Sequence, residues 1–170
     1  MRLAYDKDAG YTSQRGLSAL ERESGKPLAD EYDEEFGKAV ESIGAGLGND
    51  YQRQVFGQAI AKRRAAFRAG AMKHEADEFR TYTLSVREGT IATRMQQIGL
   101  NYANPEVIDE AITSIRAATY DAAKLQGKSA EWADAQARKM ASNAHKTAIA
   151  AALEKNDVAY ADRYLQRYGK

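Results

Sequence analysis

Six cations, Arg53, Lys62, Arg63, Arg64, Arg68 and Lys73, lie between Tyr51 and His74 with no acidic residue among them. Phe56 and Phe67 stand nearby, and cations that meet phosphates beside rings that stack on bases are the chemistry of a nucleic-acid contact. The preceding stretch is the reverse: Glu21 to Asp50 holds nine acidic residues and three basic ones. Oppositely charged neighbours are expected to fold against each other. Charge-matched packing is therefore the first reading of the basic run, a protein partner the second and nucleic acid the third. Exposed ion pairs contribute only about 0 to 1 kcal/mol each, so charge selects the packing face more than it stabilises it.

The stretch HEADE places His74 and Glu78 one helical turn apart. A zinc-protease helix needs a second histidine where Glu78 stands, and His145 is distant in sequence. A solvated helix face is the expectation for 74–78. The run Asp33, Glu34, Glu35 fans around a helix, whereas the acid and base of a hydrolase face each other across a cleft. No phosphate-cradling glycine loop and no GxSxG elbow is present. Zero cysteines exclude disulfides, thiolate metal sites and a cysteine nucleophile. No catalytic residue, cofactor or metal site is expected, and the chain does not read as an enzyme.

A formal charge of +1 gives no global pull towards nucleic acid or an anionic membrane. No apolar run approaches the ~18 residues of a membrane span. The start MRLAYDKDAG lacks a signal peptide's apolar core.

The elements that must carry these residues are helices, since only Pro27 and Pro105 break the chain and its second half is rich in alanine. Residues 1–26 have little periodicity and are expected to form a flexible N-terminal arm. A single elongated helical domain over 27–170 follows. Its first helix, 27–43, has Leu28, Tyr32, Phe36, Val40 and Ile43 on one face and ends at Gly44, Gly46 and Gly48. The next, 49–104, would be a rod about 80 Å long. Its expected buried stripe is Val55, Phe56, Ala59, Ile60, Phe67, Ala71, Met72, Ala76, Phe79, Tyr82, Val86, Ile91, Met95, Ile98 and Tyr102. The weak point is Thr81 to Thr90: polar and apolar residues alternate from Thr81 to Val86, and Gly89 follows. Helices over 105–126, 130–155 and 158–168 complete the chain, started by Asn104 with Pro105, by Ser129 and by Asn156 with Asp157. Short connections make consecutive helices antiparallel neighbours, in the manner of α-solenoid helix pairs.

Three stretches, NDYQRQVFGQAIAKRRAAFRAGAMKHEADEF, SVREGTIATRMQQIGLNYANPEVIDEAITSIRAA and ALEKNDVAYADRYLQRYGK, resemble the helical region of large virion proteins of tailed bacteriophages and prophages. In that group a long helix leads into stacked helix pairs within tail or internal-virion (DNA-ejection) polypeptides, some fused to a peptidoglycan-cleaving domain. The resemblance implies a structural role with no catalytic residue to carry over. Its partners would be other virion subunits or a second copy of the chain. Its place would be the virion, or the host cytoplasm before assembly.

Overall fold

The computed structural model describes residues 2–169, and every regular element among them is a helix. Three short pieces come first: α1 (Arg2–Tyr5), a single 3₁₀ turn (Tyr11–Ser13) and α2 (Leu17–Leu20). The longer helices are α3 (Leu28–Ala45), α4 (Asp50–Leu100), α5 (Pro105–Leu125), α6 (Ala130–Glu154) and α7 (Val158–Tyr168). The chain divides into two compact units with the boundary between Tyr82 and Thr83, inside α4.

The helix starts are those the polar residues encode. Asn49 Oδ1 accepts the Gln52 N–H at 2.8 Å, Asn104 Oδ1 the N–H groups of Glu106 and Val107, Ser129 Oγ that of Trp132 and Asp157 Oδ1 that of Tyr160. Each satisfies a donor that the first helical turn leaves open. α4 runs unbroken through 81–90, where the hydroxyls of Thr81 and Thr90 donate to the carbonyls of Asp77 and Val86 one turn earlier. These bonds reconcile strand-prone residue types with helical backbone. The helix stops at Leu100, short of Asn104, and a turn at 101–103 follows.

In the N-terminal unit α3 packs antiparallel to the start of α4. Phe36 meets Phe67 with ring centroids 5.0 Å apart, and Gly44 lies near Phe56. The core is Ala4, Tyr11, Leu28, Ala29, Tyr32 and Ala71, with Leu3 and Phe67 against it. Residues 2–20, expected as a flexible arm, supply part of this core. Tyr11 makes edge contacts with Tyr32 and Phe67, the Tyr32 hydroxyl donates to the Ala9 carbonyl at 2.8 Å, and that of Thr12 donates to the Ala4 carbonyl. A segment without period can still be ordered when its backbone groups find partners elsewhere in the chain.

In the C-terminal unit the core is Ile98, Ile108, Ala111, Ile112, Ile115, Ala141, Ala144, Ala148 and Tyr164. α6 turns alanines 133, 137, 141, 144, 148 and 152 inward, which lets its backbone come close to its neighbours. α7 buries Ala161 and Tyr164, while Val158 and Leu165 face solvent.

The stripe expected to be buried along α4 is split. Phe56, Ile60, Phe67, Tyr82, Ile91 and Met95 are partly covered and Ala71 and Ile98 fully, but Val55, Ala59, Met72, Ala76, Phe79 and Val86 are exposed. Helical spacing alone admits two adjoining apolar faces over so long a helix, and only packing distinguishes them.

Candidate functional site

The six basic residues from Arg53 to Lys73 on α4 do not form one patch. Arg64 and Arg68 reach α3: the Arg64 guanidinium holds both carboxylate oxygens of Asp33 at 2.8 Å, and Arg68 donates to Asp30 at 2.6 Å. The Arg64 guanidinium holds the Asp33 carboxyl below its ordinary range. Arg53 pairs with Asp50, one turn earlier on its own helix, and also donates to the Leu47 carbonyl at 3.0 Å. Lys73 pairs with Asp77, one turn later. Lys62 and Arg63 are exposed, and among the described residues neither has an ion-pair partner. Four of the six charges are thus matched within the chain: Arg64 and Arg68 against the acidic helix, as charge-matched packing requires, and Arg53 and Lys73 by neighbours on α4 itself.

The stretch 74–78 is not a solvated face. Glu78 is 7% exposed, and its carboxylate accepts the Gly16 N–H at 2.8 Å and a hydrogen bond from Arg15. The Gly16 N–H, more than Arg15, holds the Glu78 carboxyl below its ordinary value against the opposing effect of burial. His74 Nε2 lies 2.8 Å from the Gln14 carbonyl oxygen, and its ring packs by Tyr11. Glu75 accepts the Ala29 N–H at 3.2 Å and so caps α3, which Pro27 precedes without a side-chain cap. His74, Glu75 and Glu78 therefore hold residues 14–16 and the start of α3 on α4. Arg22 strengthens the same wall with a forked pair to Glu31, which lowers the Glu31 carboxyl. Periodicity misses this constellation because its partners are backbone groups 46 to 62 positions away. Four acceptor-capable residues within five, His74, Glu75, Asp77 and Glu78, on an otherwise basic stretch were the signal in the sequence.

No group of three or more histidine and acidic side chains converges to hold a metal ion among the described residues. No helix is long and apolar enough to cross a membrane, again among the described residues.

The exposed face of α4 in the N-terminal unit has a spacing of its own. Tyr51, Val55, Gln58, Lys62, Ala65, Ala69, Met72, Ala76 and Phe79 follow one another at alternating intervals of four and three, and all are exposed. The apolar members include Tyr51 at 75%, Met72 at 56% and Phe79 at 57% of full exposure. An alternation of three and four is the heptad seam with which one helix packs on another. Comparison with known protein families, curated proteins and solved structures finds no match.

Proposed function

We propose that this chain is a non-catalytic helical assembly module that binds other subunits, its own copies included, through the outer face of α4. The exposed heptad seam from Tyr51 to Phe79 carries the reading. At 1.5 Å per residue it offers a strip about 40 Å long. Apolar residues repeating at that interval bury well against a second helix and poorly against water. The central polar pair, Gln58 and Lys62, would set the alignment of the partner helix, as isolated polar seam residues do. The resemblance to phage and prophage virion proteins supplies the setting: a tail or internal-virion component whose partners are other virion subunits. The basic run supports a nucleic-acid role less well, because Arg53, Arg64, Arg68 and Lys73 already face carboxylates.

Sedimentation equilibrium over a concentration series tests the seam. A mass that rises with concentration, and returns to that of a monomer in the Met72→Glu/Phe79→Glu double variant with its helix content intact, is the expected result. A chain that stays monomeric throughout, or whose association ignores the double variant, overturns docking through this face. The virion setting is tested separately by the neighbouring genes: capsid or tail genes beside the coding sequence support it, and a metabolic neighbourhood overturns it.

A further inference from the structure

A cleft of about 460 Å³ is formed by residues of α5, α6 and α7, all within the C-terminal unit. Among the described residues its lining carries Arg116, Arg138 and Lys146 and no carboxylate. Arg138, Ser142, His145, Lys146 and Ile149 share one side of α6, Arg116 comes from α5, and Leu165 and Tyr168 come from α7. Unlike Arg64 and Arg68, none of the three cations has an ion-pair partner among the described residues. The nearby acids are otherwise engaged or set back. Asp134, one turn before Arg138, accepts the Tyr120 hydroxyl at 2.6 Å, and Asp109 acts on His145 from outside the lining.

The wall behind these charges is built from side chains that hold one another in place. His145 Nδ1 lies 2.9 Å from the Tyr164 hydroxyl, and the His145 ring stacks on Tyr168 with centroids 5.0 Å apart and planes 22° from parallel. Arg167 sits 5.2 Å from the Tyr168 centroid, so this ring already has two neighbours and is not an open platform for a nucleobase. What the cleft offers is two guanidinium forks and an ammonium around the apolar side chains of Ala141 and Ile149, with the half-exposed Leu165 beside them. A guanidinium fork matches pairs of phosphate oxygens, and several cations without an acid favour a ligand carrying more than one negative charge.

We propose that this cleft binds a compact phosphate polyanion of the pyrophosphate class, either free or as the phosphate end of a larger molecule. The site is separate from the α4 seam, and its test does not depend on the assembly reading. The probe is inorganic pyrophosphate, titrated into the full chain at low salt and followed by calorimetry and by the NMR signals of the two histidine rings. The expected result is saturable binding that shifts His145 and leaves His74, which lies in the other unit, unchanged. In Arg138→Ala/Lys146→Ala the affinity should fall at least about tenfold, the loss expected when one charge-assisted hydrogen bond is removed. In Lys38→Ala/Arg63→Ala, which removes two exposed cations elsewhere, it should stay the same. A short oligothymidylate run in parallel separates the sources: competition for the His145 signal makes a nucleic-acid backbone a second supplier of the same phosphate chemistry, and none restricts the site to small phosphates. Absence of a saturable His145 shift, or equal loss in the two double variants, overturns the proposal.

Discussion

The N-terminal unit closes over α4 with carboxylates, whereas the C-terminal unit closes α5, α6 and α7 over one another with isoleucine and alanine. In the first, Glu78 holds Gly16 and Arg15, Glu75 caps α3, and Asp30 and Asp33 hold Arg68 and Arg64 beside a small aromatic core. In the second, Ile98, Ile108, Ile112 and Ile115 meet a column of alanines, and the one ion pair formed there among the described residues is Arg87 with Asp121 at 3.2 Å. Hydrogen-bonded charge is directional and aligns a segment that has no hydrophobic period. Close-packed aliphatic surface is not directional but contributes more free energy per residue, because it removes apolar area from water without desolvating charge. One helix, α4, serves both kinds of construction, and its sequence changes character on the way: its six cations before His74 all precede the Tyr82–Thr83 boundary.

The comparison breaks most readily in the aliphatic core. Ile115 is fully buried, and Ile115→Ala is expected to cost about 2 to 5 kcal/mol through lost transfer energy and the cavity left behind. Native-state hydrogen exchange should show the loss in the amides of α5, α6 and α7, with α3 keeping its protection. Equal losses in α3 would mean that the units unfold as one, and the contrast would have no energetic content.

The next largest effect belongs to the carboxylate side. Glu78→Ala removes the acceptor of the partly buried Gly16 N–H and is expected to cost about 1 kcal/mol, the low end of the range for stranding a hydrogen-bonding group. Residues 2–20 should then exchange and be cleaved by protease faster, while α6 stays protected. Glu78→Gln keeps an acceptor and should recover part of the loss. A variant as resistant as the parent would show that Tyr11 and its ring contacts hold the segment unaided.

Acid should give the smallest effect and should divide the units by pH. Burial pushes His145 below its ordinary 6.5, Arg116 adds to that shift and Asp109 opposes it, with Lys146 beside it in the chain and Tyr164 and Tyr168 against its ring. The unfolded chain therefore takes up this proton first, so the stability tied to a neutral His145 is complete above 6.5 and lost as pH falls towards its lower folded value. Glu78, Glu31 and Asp33 are also lowered, from 4.5 for the glutamates and 3.8 for Asp33. Their contribution is complete above those values and is lost only as pH falls below them. Hydrogen exchange near pH 5.5 should thus show the C-terminal unit loosening while the N-terminal unit keeps its pH 7 protection. The reverse order would assign the dominant titration to other groups.

The longer helices were legible in the sequence because their punctuation is chemical: Asn104 with Pro105, Ser129 and Asp157 act where their side chains were expected to act. The mutual attraction of the acidic and basic segments was legible for the same reason, since Arg64 and Arg68 can satisfy Asp33 and Asp30 only if α3 folds back. The order in residues 2–20 was not. It depends on His74 and Glu78 accepting or contacting backbone groups, and a backbone N–H leaves no mark in residue type. The outward turn of Val55, Met72 and Phe79 was hidden as well, because helical spacing reports that a face is apolar without saying which neighbour arrives to cover it.

Of the four glycines within α4, Gly57 and Gly89 look into open space and Gly99 has a methyl group of Thr147 3.8 Å from where a β-carbon would stand. At Gly70 that position is 2.6 Å from the hydroxyl oxygen of Tyr11. The missing side chain works as a keyhole. The hydroxyl of a tyrosine in contact with Tyr32, Phe67 and His74 sits at this bare position, so one glycine on a 51-residue helix makes room for the start of the chain to rest there.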